Sequence, residues 1–437
     1  MKKNIYVNNR IKYLMLFFLA FTIFYGCAED ASPVLYNEYK DKGTPGPTAA
    51  SISPANFAYA GMDTLTITGT NFTDSAHTNV YFNNVKATVI SVTSTEIKVK
   101  APNLPGDNLD VRVSVNTADV FAVPLKYSLK AVQEVYYDKY KYTDAAVAIT
   151  FDREGNLYVS QTDKGAGIGV KKIDLGKNIS DYAPKGQETT WSSLKMAYGP
   201  YANNGQGQLF GVRKLKGIWK IDPGVAPGAM PWVGGSTTID QNVNDFDFDP
   251  AGNIWAAGAG KNIFRVKADK SVVKYPFATS SSKINAVRVF KDPSNTLYLY
   301  IGGTKDGQEG VWRYKIQGDA IVSGSEELYF DFGAAYPGKS VLSLAFSVDG
   351  YMYIGTTADE TIISVSPSKK AQAFLPGVVM AKFFSFVWDS YPTNTNAQHL
   401  IFSRDLTSDE TDKQYSPKMF SIVMFKQGAP YYGLELQ

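Results

Sequence analysis

The sequence predicts an all-β protein, a short N-terminal β-sandwich followed by a long β-propeller. Three observations carry that prediction. Aromatic residues make up 14% of the chain, with 28 Tyr and 25 Phe, a composition that suits sheets. Residues 51–128 hold several short alternating strands and no helical periodicity. From Val132 onward a strand–turn–strand pattern recurs about every 45–55 residues, the length of one propeller blade.

The N-terminus reads as a secretory leader. Lys2, Lys3, Arg10 and Lys12 form a positive region, and Tyr13–Tyr25 is a nearly continuous apolar run. That run would reach about 20 Å as a helix, short of a ~30 Å membrane span. Gly26 and Cys27 follow, and Cys27 is the only cysteine in 437 residues. A small residue before a lone thiol resembles a bacterial lipobox, with Phe24 where leucine is usual. The resemblance implies a signal peptide over 1–26 and a lipid on Cys27. Without the four leader cations the formal charge falls from +3 to −1, so the basic pI of 8.5 is no argument for nucleic acid. Residues 27–48 are rich in Pro, Gly and charge and read as a tether.

Residues 49–129 read as a β-sandwich. "DTLTITGTNF" alternates and breaks at Gly69, and "LDVRVSVNT" places Val111, Val113 and Val115 on one face. The order of "ISP", "LTITGTNF", "VYFNNVKATV", "STEIKVKAP" and "PLKYS" resembles the TIG/IPT immunoglobulin-like domain, which implies a spacer or binding module.

Residues 130–437 read as the propeller. The clearest repeats are "AVAITFDREGNLYVSQT" (146–162), "VNDFDFDPAGNIWAAGA" (243–259) and "VLSLAFSVDGYMYIGTT" (341–357); three weaker copies bring the count to six blades. Val132–Tyr140 stands where it would supply the outer strand of the last blade and close the ring. Closure leaves few exposed strand edges and encloses an axial opening. The pattern of strand, D-x-x-G-N and strand resembles NHL-type six-bladed propellers.

Several chemistries are disfavoured. The Asp/Gly turns are too short for a calcium loop, and their repetition marks them as hairpin closures. "GAGIGV" (165–170) precedes no phosphate-binding helix. His77 and His399 lie in different domains, so neither a zinc set nor a Ser-His-Asp triad has a signature. No catalytic residue, metal or cofactor is expected.

Surface chemistry remains. The loops leading into the first strands, with the ends of the second strands, carry Trp191, Arg213, Asn244, Asn285, Tyr336, Phe383 and Arg404. Aromatic faces beside planar amide and guanidinium groups suit sugars, although Trp191 and Phe383 could equally cover blade edges. "CAEDA" (27–31), with acids directly after the cysteine, resembles the export signal of Bacteroidota surface lipoproteins. Together with the domain order, it resembles accessory glycan-binding lipoproteins of Sus-type uptake systems. The resemblance implies a non-enzymatic binder of polysaccharide or oligosaccharide at the outer-membrane surface, held by its lipid alone, beside a SusC/SusD-type complex. A propeller-based polysaccharide lyase or hydrolase, or a protein-binding envelope scaffold, is the competing expectation.

Overall fold

The computed structural model describes residues 45–116, 118–141, 143–187, 190–202, 204–359, 361–379, 383–389, 399–404 and 419–437. Cys27 and the tether up to residue 44 lie outside them. The chain divides into two compact units.

The N-terminal domain is a sandwich of two sheets. One orders Thr48–Ser53, Thr64–Thr70, Glu96–Lys100 and Thr88–Val92; the other orders Phe57–Tyr59, Leu125–Lys130, Gly106–Val115, Thr78–Phe82 and Val85–Lys86. Alternation sets its core: Leu65, Ile67, Ile97, Val99, Val111, Val113 and Val115 are buried, while their neighbours in sequence turn outward.

Among the described residues the remainder forms six antiparallel blades: four are separate four-stranded sheets, and blades 3 and 4 share one nine-stranded sheet joined at Ala259 and Lys283. Blade 1 runs Asp144–Phe151, Leu157–Asp163, Ala166–Ile173, Ile179–Pro184, and blade 2 runs Ser193–Ala197, Gln208–Val212, Gly217–Ile221, Val233–Gly234. Blades 3, 4 and 5 open with Asn242–Phe248, Ser282–Lys291 and Val341–Phe346. Blade 6 takes three strands from Phe383–Trp388, His399–Arg404 and Met419–Val423, and its fourth from Gln133–Tyr137 far upstream. Gln133 pairs with Ile422 and Val135 with Phe420, so the outer strand expected from the sequence closes the ring. The six first strands adjoin one another in a continuous cycle around the centre.

The recurrent turn after each first strand has a local cause. In blade 3 the Asp249 carboxylate accepts from the backbone N of Asn253 (2.9 Å), from Asn253 Nδ2 (2.8 Å) and from Trp255 Nε1 (2.8 Å). Blade 1 repeats this with Asp152, Asn156 and Tyr158, and blade 4 closes its turn with Asp292 on the Thr296 amide. Gly155 and Gly252 take the left-handed conformation that the turn demands. The carboxylates are therefore spent on closing hairpins. Asp249→Ala is expected to cost about 2–3 kcal/mol by orphaning buried donors, measurable by urea denaturation.

A last segment, Gln427–Leu436, crosses the face that carries these turns. Ala429 N donates to Phe346 O (2.8 Å) in blade 5, and Tyr198 N in blade 2 donates to Gly433 O (3.0 Å). Trp388 N in blade 6 donates to the Tyr431 hydroxyl (3.2 Å). Arg153 in blade 1 donates to Leu434 O and Leu436 O, each at 2.5 Å. One strap thus ties four blades.

Candidate functional site

The innermost strands bring together a buried charged cluster. Asp245 Oδ2 accepts from Val287 N (2.7 Å) and from the Arg288 guanidinium (3.2 Å), with Lys195 Nζ at 3.9 Å from its other oxygen. Asp247 accepts from Val289 N (3.0 Å) and Phe248 N (3.0 Å). Blade 3 thereby satisfies backbone donors on the inner edge of blade 4, where no further strand exists to do so. Burial pushes the Asp247 carboxyl up and, with Arg288 nearby, pulls Lys195 down to about 8. The unfolded lysine keeps its proton to higher pH, so stability should rise as pH climbs above about 8. Urea denaturation near pH 7.5 and 9.5 is expected to show that gain in the native protein and not in Lys195→Met.

The cavity beside this cluster, lined by Asp247, Arg288, Trp388 and Tyr431 among others, holds about 10 Å³. That is room for one water molecule and no sugar. At this point the axial opening expected from the ring is filled by Tyr431 and the charged pairs.

The residues singled out from sequence lie on the face opposite the strap. Trp191 is 1% exposed, so its ring has no face to offer a ligand. It packs 6.1 Å from Trp219, and a Cβ on Gly211 would sit 2.6 Å from it, which is why that position is glycine. The Arg213 guanidinium lies 4.3 Å over Trp219 and donates to Ala229 O (3.2 Å). Asn244 donates its amide to Ile284 O (2.7 Å), and Asn285 donates to Val341 O (2.8 Å). These two occupy matching places in blades 3 and 4, each latching onto the next blade. Tyr336 stacks on Phe332 at 5.0 Å before blade 5. Phe383 and Arg404 face each other as strand partners in blade 6, and their side chains lie outside the described residues. Trp191 and Arg213 are thus neighbours, while Asn244 and Asn285 serve blade-to-blade contacts. Asn285→Ala is expected to lower stability by about 1 kcal/mol and leave ligand affinity unchanged, checked by denaturation and titration in parallel.

A larger concavity opens on the strap side, between blades 1 and 2. It encloses about 620 Å³, within the range of small-molecule sites. Blade 1 contributes Asp152, Glu154 and Asn156 from its first turn, with Tyr158, Lys172 and Tyr182 from its strands. Blade 2 contributes Tyr198, Asn204, Gln206, Gly207 and Gln208 from its first turn, and Asp222 and Pro223 from its second.

The parts are held from both sides. Tyr158 and Tyr182 meet edge to face at 4.8 Å, and the Tyr158 hydroxyl donates to Asp152 (3.0 Å). The Tyr198 hydroxyl accepts from Arg153 N (3.2 Å) and donates to Glu154 (3.4 Å). Gln208 donates to Ile221 O (3.2 Å) and Asp222 (3.1 Å), which fixes the turn carrying Asp222. A Cβ at Gly207 would lie 2.7 Å from Tyr198 and 2.8 Å from Met196, so glycine there keeps the floor clear. Burial pushes the Tyr182 and Tyr198 phenols up to about 12 and Tyr158 further, and nearby carboxylates reinforce each shift. All three remain neutral donors at physiological pH.

Sequence reasoning passed over this cleft because the D-x-x-G-N turns of blades 1 and 3 read as hairpin closures. A signal was present. In blade 2 the turn becomes "YGPYANNGQGQ" (Tyr198–Gln208), longer and richer in amides than its equivalents. An insertion in one repeat is where a repeat protein specialises.

Comparison with known proteins bears on the fold. Residues 47–129 match the IPT/TIG domain. The N-terminal sandwich is an IPT/TIG domain. Comparison with curated proteins gives no match. Among solved structures, a putative phosphatase from Bacteroides thetaiotaomicron is similar at 12% identity and a TM-score of 0.53, covering 88% of this chain and 99% of that one. An auxiliary nutrient binding protein from the same organism has 12% identity, coverage of 86% and 97%, and a TM-score of 0.47. Virginiamycin B lyase from Staphylococcus aureus has 14% identity, coverage of 62% and 80%, and a TM-score of 0.42. For the first of these the likeness is one of fold alone; the chain's own strand order makes it all-β, with a propeller after its IPT/TIG sandwich. Among the described residues no group of three or more His, Cys, Asp or Glu is placed to hold a metal ion, and no helix is long and apolar enough to cross a membrane.

Proposed function

We propose that the cleft between blades 1 and 2 binds an oligosaccharide segment of a polysaccharide, and that the protein does so without cleaving it. The observation that carries this reading is the lining: the half-buried ring of Tyr182 with Asn156, Asn204 and Gln206 in one concavity of about 620 Å³. Sugar rings present C–H faces that pack on aromatic carbon, and hydroxyls that need dense donors and acceptors. The amides supply both from one planar group. Asp152, the most enclosed carboxylate, accepts from the Asn156 amide and the Tyr158 hydroxyl and so holds the wall in place.

The nutrient binding described for the Bacteroides thetaiotaomicron neighbour belongs to that protein; the reading here rests on the cleft. Lipidation of Cys27, followed by Glu29 and Asp30, would display the propeller at the outer-membrane surface, beside a SusC/SusD-type complex. Many anchored copies on one polymer would multiply a modest affinity per site.

The test is a glycan array probed with residues 28–437, followed by product analysis on each binder. Binding with the oligosaccharide recovered intact supports the proposal. Shortened products would assign the cleft to a lyase or hydrolase, and silence on every glycan with a co-purifying envelope protein would favour a scaffold.

A further inference from the structure

The cleft also carries a charge pattern that discriminates among glycans. Three carboxylates line it, Asp152, Glu154 and Asp222, against the single cation Lys172. The carboxylate of Asp152 has only neutral partners, the Asn156 amide and the Tyr158 hydroxyl. Lys172 lies over the Tyr158 ring, with Nζ 6.0 Å from its centroid. Arg153 lies over Tyr198, its Cζ 3.9 Å from the ring centroid, and its Nε and Nη2 donate to the Leu434 and Leu436 carbonyls of the strap. Recognition of a uronate or sulfate needs a cation, preferably a free guanidinium fork, aimed at the ligand. This cleft has one edge of its guanidinium fork bound to the strap, and three carboxylates against one lysine in its lining.

We infer that the cleft selects uncharged oligosaccharides and rejects those bearing carboxylate or sulfate groups. This rests on the oligosaccharide reading of the cleft. The rejection is electrostatic, from like charges at short range inside a walled space, where screening is weaker than on an open surface. Glu154 and Asp222 are the specificity determinants, since both are exposed carboxylates at its rim.

A matched pair tests it: the best neutral oligosaccharide from the array, and the same compound with its primary hydroxyls oxidised to carboxylates. Calorimetric titration is expected to show at least about tenfold weaker binding of the oxidised form at low salt, with the gap narrowing near 0.5 M salt. The Glu154→Gln/Asp222→Asn double variant should bring the ratio of neutral to oxidised affinities at low salt close to one, whatever its effect on the neutral ligand alone. A purely structural role for these residues would not restore the acidic ligand. Equal binding of both forms by the native protein, or a preference for the oxidised one, overturns the inference and leaves the oligosaccharide reading standing. Absence of binding to any glycan overturns the oligosaccharide reading itself.

Discussion

Asp245→Ala is expected to cost about 3–5 kcal/mol of folding stability, the largest effect of any single substitution considered. The carboxylate sits among the innermost strands of three blades and holds Arg288, the Val287 amide and, at longer range, Lys195. Removing it leaves two cations buried with one acid, Asp247, whose oxygens already serve two backbone amides. The penalty is the desolvation of an uncompensated charge, which exceeds the value of the ion pair itself. Asp245→Asn keeps an oxygen for Val287 and loses the charge, so it should fall between native protein and the alanine variant. Urea denaturation of the three proteins checks the order. Equal stability of Asp245→Ala and native protein would show that water reaches the cluster and solvates it.

Tyr182→Ala is expected to weaken oligosaccharide binding by roughly 10–100-fold, from the loss of about 1–3 kcal/mol of ring contact. Tyr182 is only half buried, and its ring is held edge-on by Tyr158, so the change removes a ligand surface more than a piece of core. Gly207→Leu approaches the same site from the other wall. Its side chain must either fill the cleft or displace Tyr198 and Met196, and both outcomes abolish binding. Titration with the array-selected oligosaccharide, beside a melting curve for each variant, separates blocked binding from unfolding. Unchanged affinity in both variants would place the ligand elsewhere.

Much of the fold was legible in the sequence because it depends on local chemistry. Period-two alternation sets Val111, Val113 and Val115 into the sandwich core, and Asp-x-x-Gly-Asn closes hairpins with its own carboxylate. Even the borrowed outer strand near Val135 could be read from its position before the first repeat. The site was less legible. Asn244 and Asn285 look like loop polars in sequence, and nothing local shows that each amide reaches the carbonyl of the following blade. Trp191 looks available for stacking until Gly211 and Trp219 enclose it. The strap from Gln427 to Leu436 has no repeat signature, yet it occupies Arg153 and so decides the charge of a cleft far away in sequence. The alternating acids of "NDFDF" in blade 3 stand inside one of the clearest repeats, with nothing local to mark them as part of a cluster. Their partners on blades 2 and 4 could be found only by closing the ring.

The most direct test of the central claim is a crystal structure of residues 28–437 with the strongest oligosaccharide from the array. A sugar ring is expected against Tyr182, with hydroxyls on Asn204 and Gln206. A ligand bound on the opposite face, beside Arg213 and Tyr336, or on the IPT/TIG domain, would contradict the assignment.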